Sequence, residues 1–172
     1  MVLRRADAED GLNAAMVRDA RFVYLAGGSV LHLRSVLKAS AVWDALVAAW
    51  AGGAVVAGSS AGGMVLGEAM VDPRGGALTL GLGLVNQIAL LPHANSWPQD
   101  RAHRTVRLAS SGLHIAAVDE RTALVRGTDG RWRKAGQGIV TVWLDGHEVG
   151  LEALERAVIV GAPLPEGAPG PG

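Results

Sequence analysis

The sequence predicts an α/β fold with a mostly parallel sheet and helices on both of its faces. Three observations carry this expectation. Two short apolar runs closed by glycine, "RFVYLAGG" (Arg21 to Gly28) and "AVVAG" (Ala54 to Gly58), read as buried strands. Each is followed by a segment with helical spacing, and such alternation is the signature of parallel pairing. The apolar content is 49% over 172 residues, enough for one sizeable core.

The elements follow in order. Asp7 and Asp10 start a helix that runs to about Arg18, with Leu12, Ala15 and Met16 on one face. "LHLRSVLKASAVWDALVAAW" has helical spacing with a break near Ser40, whose hydroxyl caps a second helix through Trp50. Gly52-Gly53 ends that helix. After "AVVAG" the chain passes Gly58-Ser59-Ser60-Ala61-Gly62 and "AGGMVLG" starts another helix. Further on, a strand covers Ile88 to Leu91 and ends at Pro92-His93, and "PQDRAHRTVRLAS" reads as a short basic helix. "IAAVDE", "TALVRG" and "GIVTVWLDG" are short β segments with turns at Asp129-Gly130 and Asp145-Gly146. This gives one domain over residues 1–160. The tail 161–172 is too rich in Pro and Gly to pack.

Composition narrows the function. Sixteen basic and sixteen acidic residues cancel without long blocks of either sign, which argues against a nucleic-acid partner. No apolar run approaches the roughly 20 residues of a membrane span. The charged opening "MVLRRADAED" is unlike a secretory signal, so a cytoplasmic location is expected. The chain has no cysteine, which removes disulfides, thiolate metal sites and a cysteine nucleophile. Neither a metal nor a cofactor is expected.

The glycine-rich corner at Ser60 is where chemistry concentrates. A serine on a sharp strand-to-helix turn needs small neighbours on both sides, and it stands where open parallel sheets gather ligands. The N–H groups of Ala61 and of the Gly27-Gly28 turn can point at one oxyanion. A serine needs a base, and the base an orienting acid. Among the five histidines, His93 follows an apolar strand and is the best placed. His103 shares a helix with Arg101, Arg104 and Arg107 and reads as a solvated face. His114 opens a strand at the wrong end of the sheet, and His32, four residues past Gly28, can line the pocket or lie on the surface; His147 is the fifth. Asp119 and Glu120 both end "IAAVDE", and either can serve as the acid.

"YLAGGS", "GSSAGG", "LPHANSWPQDRAHRTVRL" and "VDERTALV", in this order, resemble the dipeptidase E and cyanophycinase family of serine peptidases. The resemblance covers roughly Phe22 to Leu144. It implies a class I glutamine amidotransferase-like fold, a flavodoxin-like arrangement of three layers. It also implies a Ser60–His93–Glu120 triad with Gly28 and Ala61 as oxyanion donors. The family's Gly-[TS]-Ser-Ala-Gly-Ala motif is matched from Gly58 to Gly63, with Gly63 in the place of alanine. Ser29 stands where relatives commonly carry Asn or Asp beside the substrate. Relatives prefer acidic groups at the scissile bond, so Arg101, Arg104 and Arg107 become candidate carboxylate ligands. Family members usually carry a further strand–helix–strand section before this region. The shortened start exposes a sheet edge, so a homodimer or larger homo-oligomer is expected. The expected substrate is a small peptide. An ester cleaved by the same triad, and a non-catalytic binding module descended from such an enzyme, are the alternatives.

Overall fold

The computed structural model describes residues 1–72 and 74–156, with all of their side chains but those of Gln99, Arg101 and Arg156. The Pro- and Gly-rich tail lies outside the described residues.

The first helix differs from expectation. It is two helices, α1 (Arg5–Glu9) and α2 (Gly11–Arg18), because the Asp10 carboxylate accepts from the N–H groups of Leu12 and Asn13 and caps a new start. The restart changes the buried face. Ala14 is buried, whereas Leu12 and Met16 are 78% and 73% exposed. Arg5 fastens α1 to the corner that follows α3 (Val30–Leu37). Its guanidinium donates to the carbonyls of Val36 (3.3 Å), Lys38 (2.5 Å) and Ala39 (3.0 Å). Helix C-termini leave such carbonyls unpaired, and a basic side chain can satisfy them.

The break at Ser40 is as expected. Ser40 Oγ accepts from the Trp43 N–H (3.1 Å) and caps α4 (Ala41–Ala51), which ends at Gly52. Strands β1 (Phe22–Leu25) and β2 (Val55–Gly58) pair in parallel, Phe22 opposite Val55 and Leu25 opposite Gly58. Their inner face, Val23, Leu25 and Val56, packs with Val36, Val42 and Leu46 of α3 and α4. On the outer face Phe22, Tyr24 and Val55 are exposed.

Helix α5 (Ala61–Leu66) starts where the sequence places it but lasts only six residues. The chain passes straight into β3 (Gly67–Val71), which the sequence reading did not anticipate. Tertiary pairing decides this, since β3 is held in parallel against β5 (Val85–Pro92), with Ala69 opposite Ala89 and Met70 opposite Leu90. The β5 strand is longer than the expected Ile88–Leu91 and includes an irregular register at Gln87, whose φ is 60°.

The remaining elements are β4 (Leu78–Leu80), α6 (Gln99–Arg107), β6 (His114–Val118), β7 (Thr122–Arg126), β8 (Trp132–Gly136), β9 (Val140–Leu144) and β10 (His147–Val149). Six strands form one sheet in the order β10-β9-β6-β5-β3-β4. Its centre, β6-β5-β3, is parallel, and β4, β9 and β10 extend it antiparallel. On one face Ala89, Leu91 and Ile115 pack with Val30, Met64, Val65 and Val106 from three helices. The opposite face, Ile88, Ala116 and Val142, is closed by Leu154 together with Leu124 and Trp132 of the β7–β8 hairpin. This is the α/β class with a parallel core. No helix among the described residues is long and apolar enough to cross a membrane.

Candidate active site

Ser60 stands two residues past β2, with φ 49° and ψ −116°. A residue with a Cβ is rarely found there, at a cost of about 1–3 kcal/mol. The surroundings impose the conformation. Ser59 N–H donates to Leu25 O (3.0 Å), Gly62 N–H to Ser59 O (2.8 Å) and Met64 N–H to Ser60 O (3.0 Å). The glycines of the motif let three backbones approach. A Cβ on Gly62 lies 1.9 Å from Leu25 O, and one on Gly58 lies 2.5 Å from the Gly62 carbonyl. Ser60 occupies the N-cap position of α5 but makes no capping bond, so its hydroxyl is available to other partners.

That partner is His93, whose Nε2 lies 3.0 Å from Ser60 Oγ. His93 is the first residue past β5 and has left-handed φ and ψ of 55° and 36°. Its other ring nitrogen, Nδ1, lies 3.4 Å from Glu120 Oε1, beyond the end of β6. The carboxylate left open by the sequence, Asp119, faces elsewhere. Its Oδ2 accepts from the Ile139 N–H (2.9 Å), and its own N–H donates to Ile139 O (3.1 Å). Three strand ends therefore bring Ser60, His93 and Glu120 into one line of contacts.

The other expected residues divide. Gly27 abuts the serine, since a Cβ there lies 3.3 Å from Ser60 Cβ. Gly28 follows with φ 144° and open space beside it, and Ala61 is buried as the first residue of α5. Ser29 is used locally, its Oγ accepting from the His32 N–H (3.3 Å) as the cap of α3. Arg104 and Arg107 lie exposed in the last turn of α6, and the side chain of Arg101 is outside the described set. His103 is exposed on α6, His147 is exposed at the start of β10, and His32 Nε2 pairs with Leu3 O (3.0 Å). His114 is buried, with Nδ1 on Gln87 O (2.9 Å).

Sequence reasoning missed two neighbours. Tyr24 OH donates to Ser59 Oγ (2.7 Å), and the Glu120 N–H donates to Asn95 Oδ1 (3.1 Å). Asn95 was within sight because it follows His93 by two residues. Tyr24 depended on the β1–β2 register, which puts it opposite Ala57.

The imidazole and the Glu120 carboxylate are 48% and 54% exposed, so the site is open to water. A cavity of about 460 Å³, lined in part by Glu68, Thr79, Gln87 and Ser111, lies instead toward the amino ends of β3 and β5. The contacts at Ser60 identify the chemistry better than that cavity does, because none of the three residues lines it. Among the described residues no group of three or more His, Asp or Glu is arranged to hold a metal ion.

Against known proteins, the model of peptidase family S51 matches residues 4–131. The chain belongs to peptidase family S51. Cyanophycinases from Synechococcus elongatus and from Thermosynechococcus vestitus are each 28% identical over 150 residues. Those matches take in 80% of this chain and 46% of each relative, so the chain spans about half the length of these curated relatives. Among solved structures, a peptidase from an acI-B1 actinobacterium superposes with a TM-score of 0.75 at 29% identity. That superposition covers 86% of this chain and 63% of the other. Membership in S51 agrees with the resemblance read from the four motifs.

Proposed function

We propose that this S51 chain is a serine hydrolase that cleaves peptide bonds through an acyl-enzyme. The observation that carries the reading is the continuous line from Ser60 Oγ to His93 Nε2 (3.0 Å) and from His93 Nδ1 to Glu120 Oε1 (3.4 Å). Ser60 Oγ attacks the scissile carbonyl while His93 Nε2 takes its proton. Glu120 holds the Nδ1–H tautomer and stabilises the imidazolium. The carbonyl oxygen becomes an oxyanion, and we assign its stabilisation to the N–H groups of Gly28 and Ala61, a donor of this kind being worth about 3 kcal/mol. His93 returns the proton to the leaving amine, and the C–N bond breaks. Water, activated by the same imidazole, then releases the acid and restores Ser60.

Fluorophosphonate labelling tests this reading. One adduct on Ser60, absent from Ser60→Ala, supports it, and a chain that stays unlabelled overturns it. The relatives' names as cyanophycinases and as a peptidase favour an amide substrate. The openness of the site favours a second reading, ester hydrolysis by the same residues, because an exposed histidine and glutamate form no narrow pocket.

Preference for acidic substrates rests on α6, where Arg104 and Arg107 are exposed and Arg101 enters by spacing alone. A guanidinium pairing with a carboxylate contributes about 1.5–3 kcal/mol when desolvated and under about 1 kcal/mol when solvated. An aspartyl dipeptide is expected to exceed its asparaginyl counterpart in kcat/KM by about tenfold. Arg104→Ala or Arg107→Ala should shrink that ratio, and added salt should shrink it further. If a neutral ester is turned over best and neither variant changes the ranking, the ester reading replaces this one.

Self-association completes the proposal. Phe22, Tyr24 and Val55 leave an apolar strip on the outer face of β1 and β2, and a second copy of the chain is the occupant we assign to it. Sedimentation is expected to show a dimer or larger species at high micromolar concentration. A monomer under those conditions removes this part of the proposal.

A further inference from the structure

The contact between His93 and Glu120 is too weak to orient the imidazole by itself. It joins two side chains that are each about half exposed, at 3.4 Å. Exposed ion pairs contribute about 0–1 kcal/mol, no more than the rotamer freedom the two side chains lose, roughly 1 kcal/mol or more. Ser96 Oγ reaches the same carboxylate oxygen at 3.5 Å, at the limit of a hydrogen bond. The short contact is a different one, made by the backbone of Glu120. Its N–H donates to Asn95 Oδ1 at 3.1 Å.

The position of this bond gives it leverage. The β5–β6 ladder stops at Pro92 opposite Val118, and the β6–β9 ladder at Val118 opposite Val140. Asp119 is still tied to Ile139, so the Glu120 N–H is the first amide past the end of the sheet. His93 is likewise the first residue past β5, in left-handed geometry. Asn95 lies in the 3₁₀ turn Ala94–Ser96, which the Ser96 N–H closes on His93 O (2.8 Å). One turn thus joins Asn95 to His93, and the shorter of its two hydrogen bonds to Glu120, from the Glu120 N–H to Asn95 Oδ1, holds that turn to the backbone.

We propose that Asn95 is a positioning residue that docks the His93 turn onto the backbone of Glu120 and so sets the distance between imidazole and carboxylate. The proposal rests on the Ser60–His93–Glu120 reading above. Displacements of about 1 Å can cost roughly 10²-fold in rate. Asn95→Ala is therefore expected to slow fluorophosphonate labelling of Ser60 by about 10- to 100-fold. Asn95→Asp keeps an acceptor oxygen at the same reach and should stay within about threefold of wild type. Asn95→Leu keeps the bulk without the acceptor and should behave as Asn95→Ala.

Two readouts separate positioning from general damage. In a Glu120→Ala background no carboxylate remains to be aligned, so adding Asn95→Ala should change the rate by less than about twofold. Hydrogen exchange at the Glu120 amide, which needs no activity, should accelerate about tenfold or more in Asn95→Ala and Asn95→Leu but not in Asn95→Asp. Wild-type labelling rates in Asn95→Ala, unchanged exchange at Glu120, or full multiplication with Glu120→Ala each overturn the proposal. A wild-type chain that never labels at Ser60 brings down the triad reading itself, which is a distinguishable result.

Discussion

Ser60→Ala is expected to lower kcat/KM by about 10⁴-fold or more, and His93→Ala by a comparable factor, because a nucleophile and its base act as one unit. The reason is local. Ser60 Oγ has His93 Nε2 as its hydrogen-bond partner at 3.0 Å, and no capping bond draws it away. Without the imidazole the hydroxyl has no proton acceptor, and without the hydroxyl the imidazole has no proton to take. The double variant should be hardly worse than either single one. Glu120→Gln should lose less, since its contact is longer and exposed. Both alanine substitutions remove partly exposed side chains, so the urea midpoints should remain near that of wild type. Steady-state kinetics on a peptide substrate with matched unfolding curves makes the check. Near-full activity in His93→Ala, with loss instead in His103→Ala or His147→Ala, reassigns the base.

The largest expected effect on stability is at Gly62. A Cβ there lies 1.9 Å from Leu25 O, 2.5 Å from Leu25 C and 2.9 Å from Leu25 Cβ, so β1 and α5 must separate to admit a methyl group. Backbone atoms cannot rotate away as a side-chain tip can. Gly62→Ala should therefore cost about 3–5 kcal/mol, a large part of the 5–15 kcal/mol typical of a folded domain. Gly63→Ala is the informative contrast. Its nearest neighbour is Leu90 Cδ2 at 2.7 Å, the end of a flexible side chain, and the cost should be about 1 kcal/mol. Equilibrium urea unfolding of both variants separates the two cases. A Gly62→Ala midpoint equal to that of Gly63→Ala removes the close-approach account of the motif.

Much of the fold was legible because its signals are local. Ser40 between two helical segments, Gly52-Gly53 after the second, and Asp145-Gly146 between two β segments each act through their own backbone. The strand ends carrying Ser60 and His93 were visible for the same reason, as apolar runs stopped by small or turn-forming residues. Where the reading missed, the deciding contacts were distant. "GEAMV" becomes β3 only because Met70 pairs with Leu90 across the sheet. Leu12 and Met16 are exposed because Asp10 restarts the helix and turns Ala14 inward, an outcome set by packing between α2 and α4.

By itself the sequence determined the α/β class, the glycine-rich corner at Ser60 and the order of the serine, histidine and acidic motifs. These depend on residue size, on turn chemistry and on the period of apolar runs, all of which are properties of neighbours along the chain. Residue pattern alone left Asp119 and Glu120 open and the family resemblance pointed to Glu120; the contact of one carboxylate with the imidazole is set by tertiary structure. Asp119 and Glu120 are adjacent and chemically alike, and alternation past the end of β6 sends one to Ile139 and the other to His93. The tie between Asn95 and the Glu120 amide was decided in the same way, because it crosses from one strand end to the next. Which side chains meet there is fixed by the register of parallel strands, and no local signal in a single chain encodes that register.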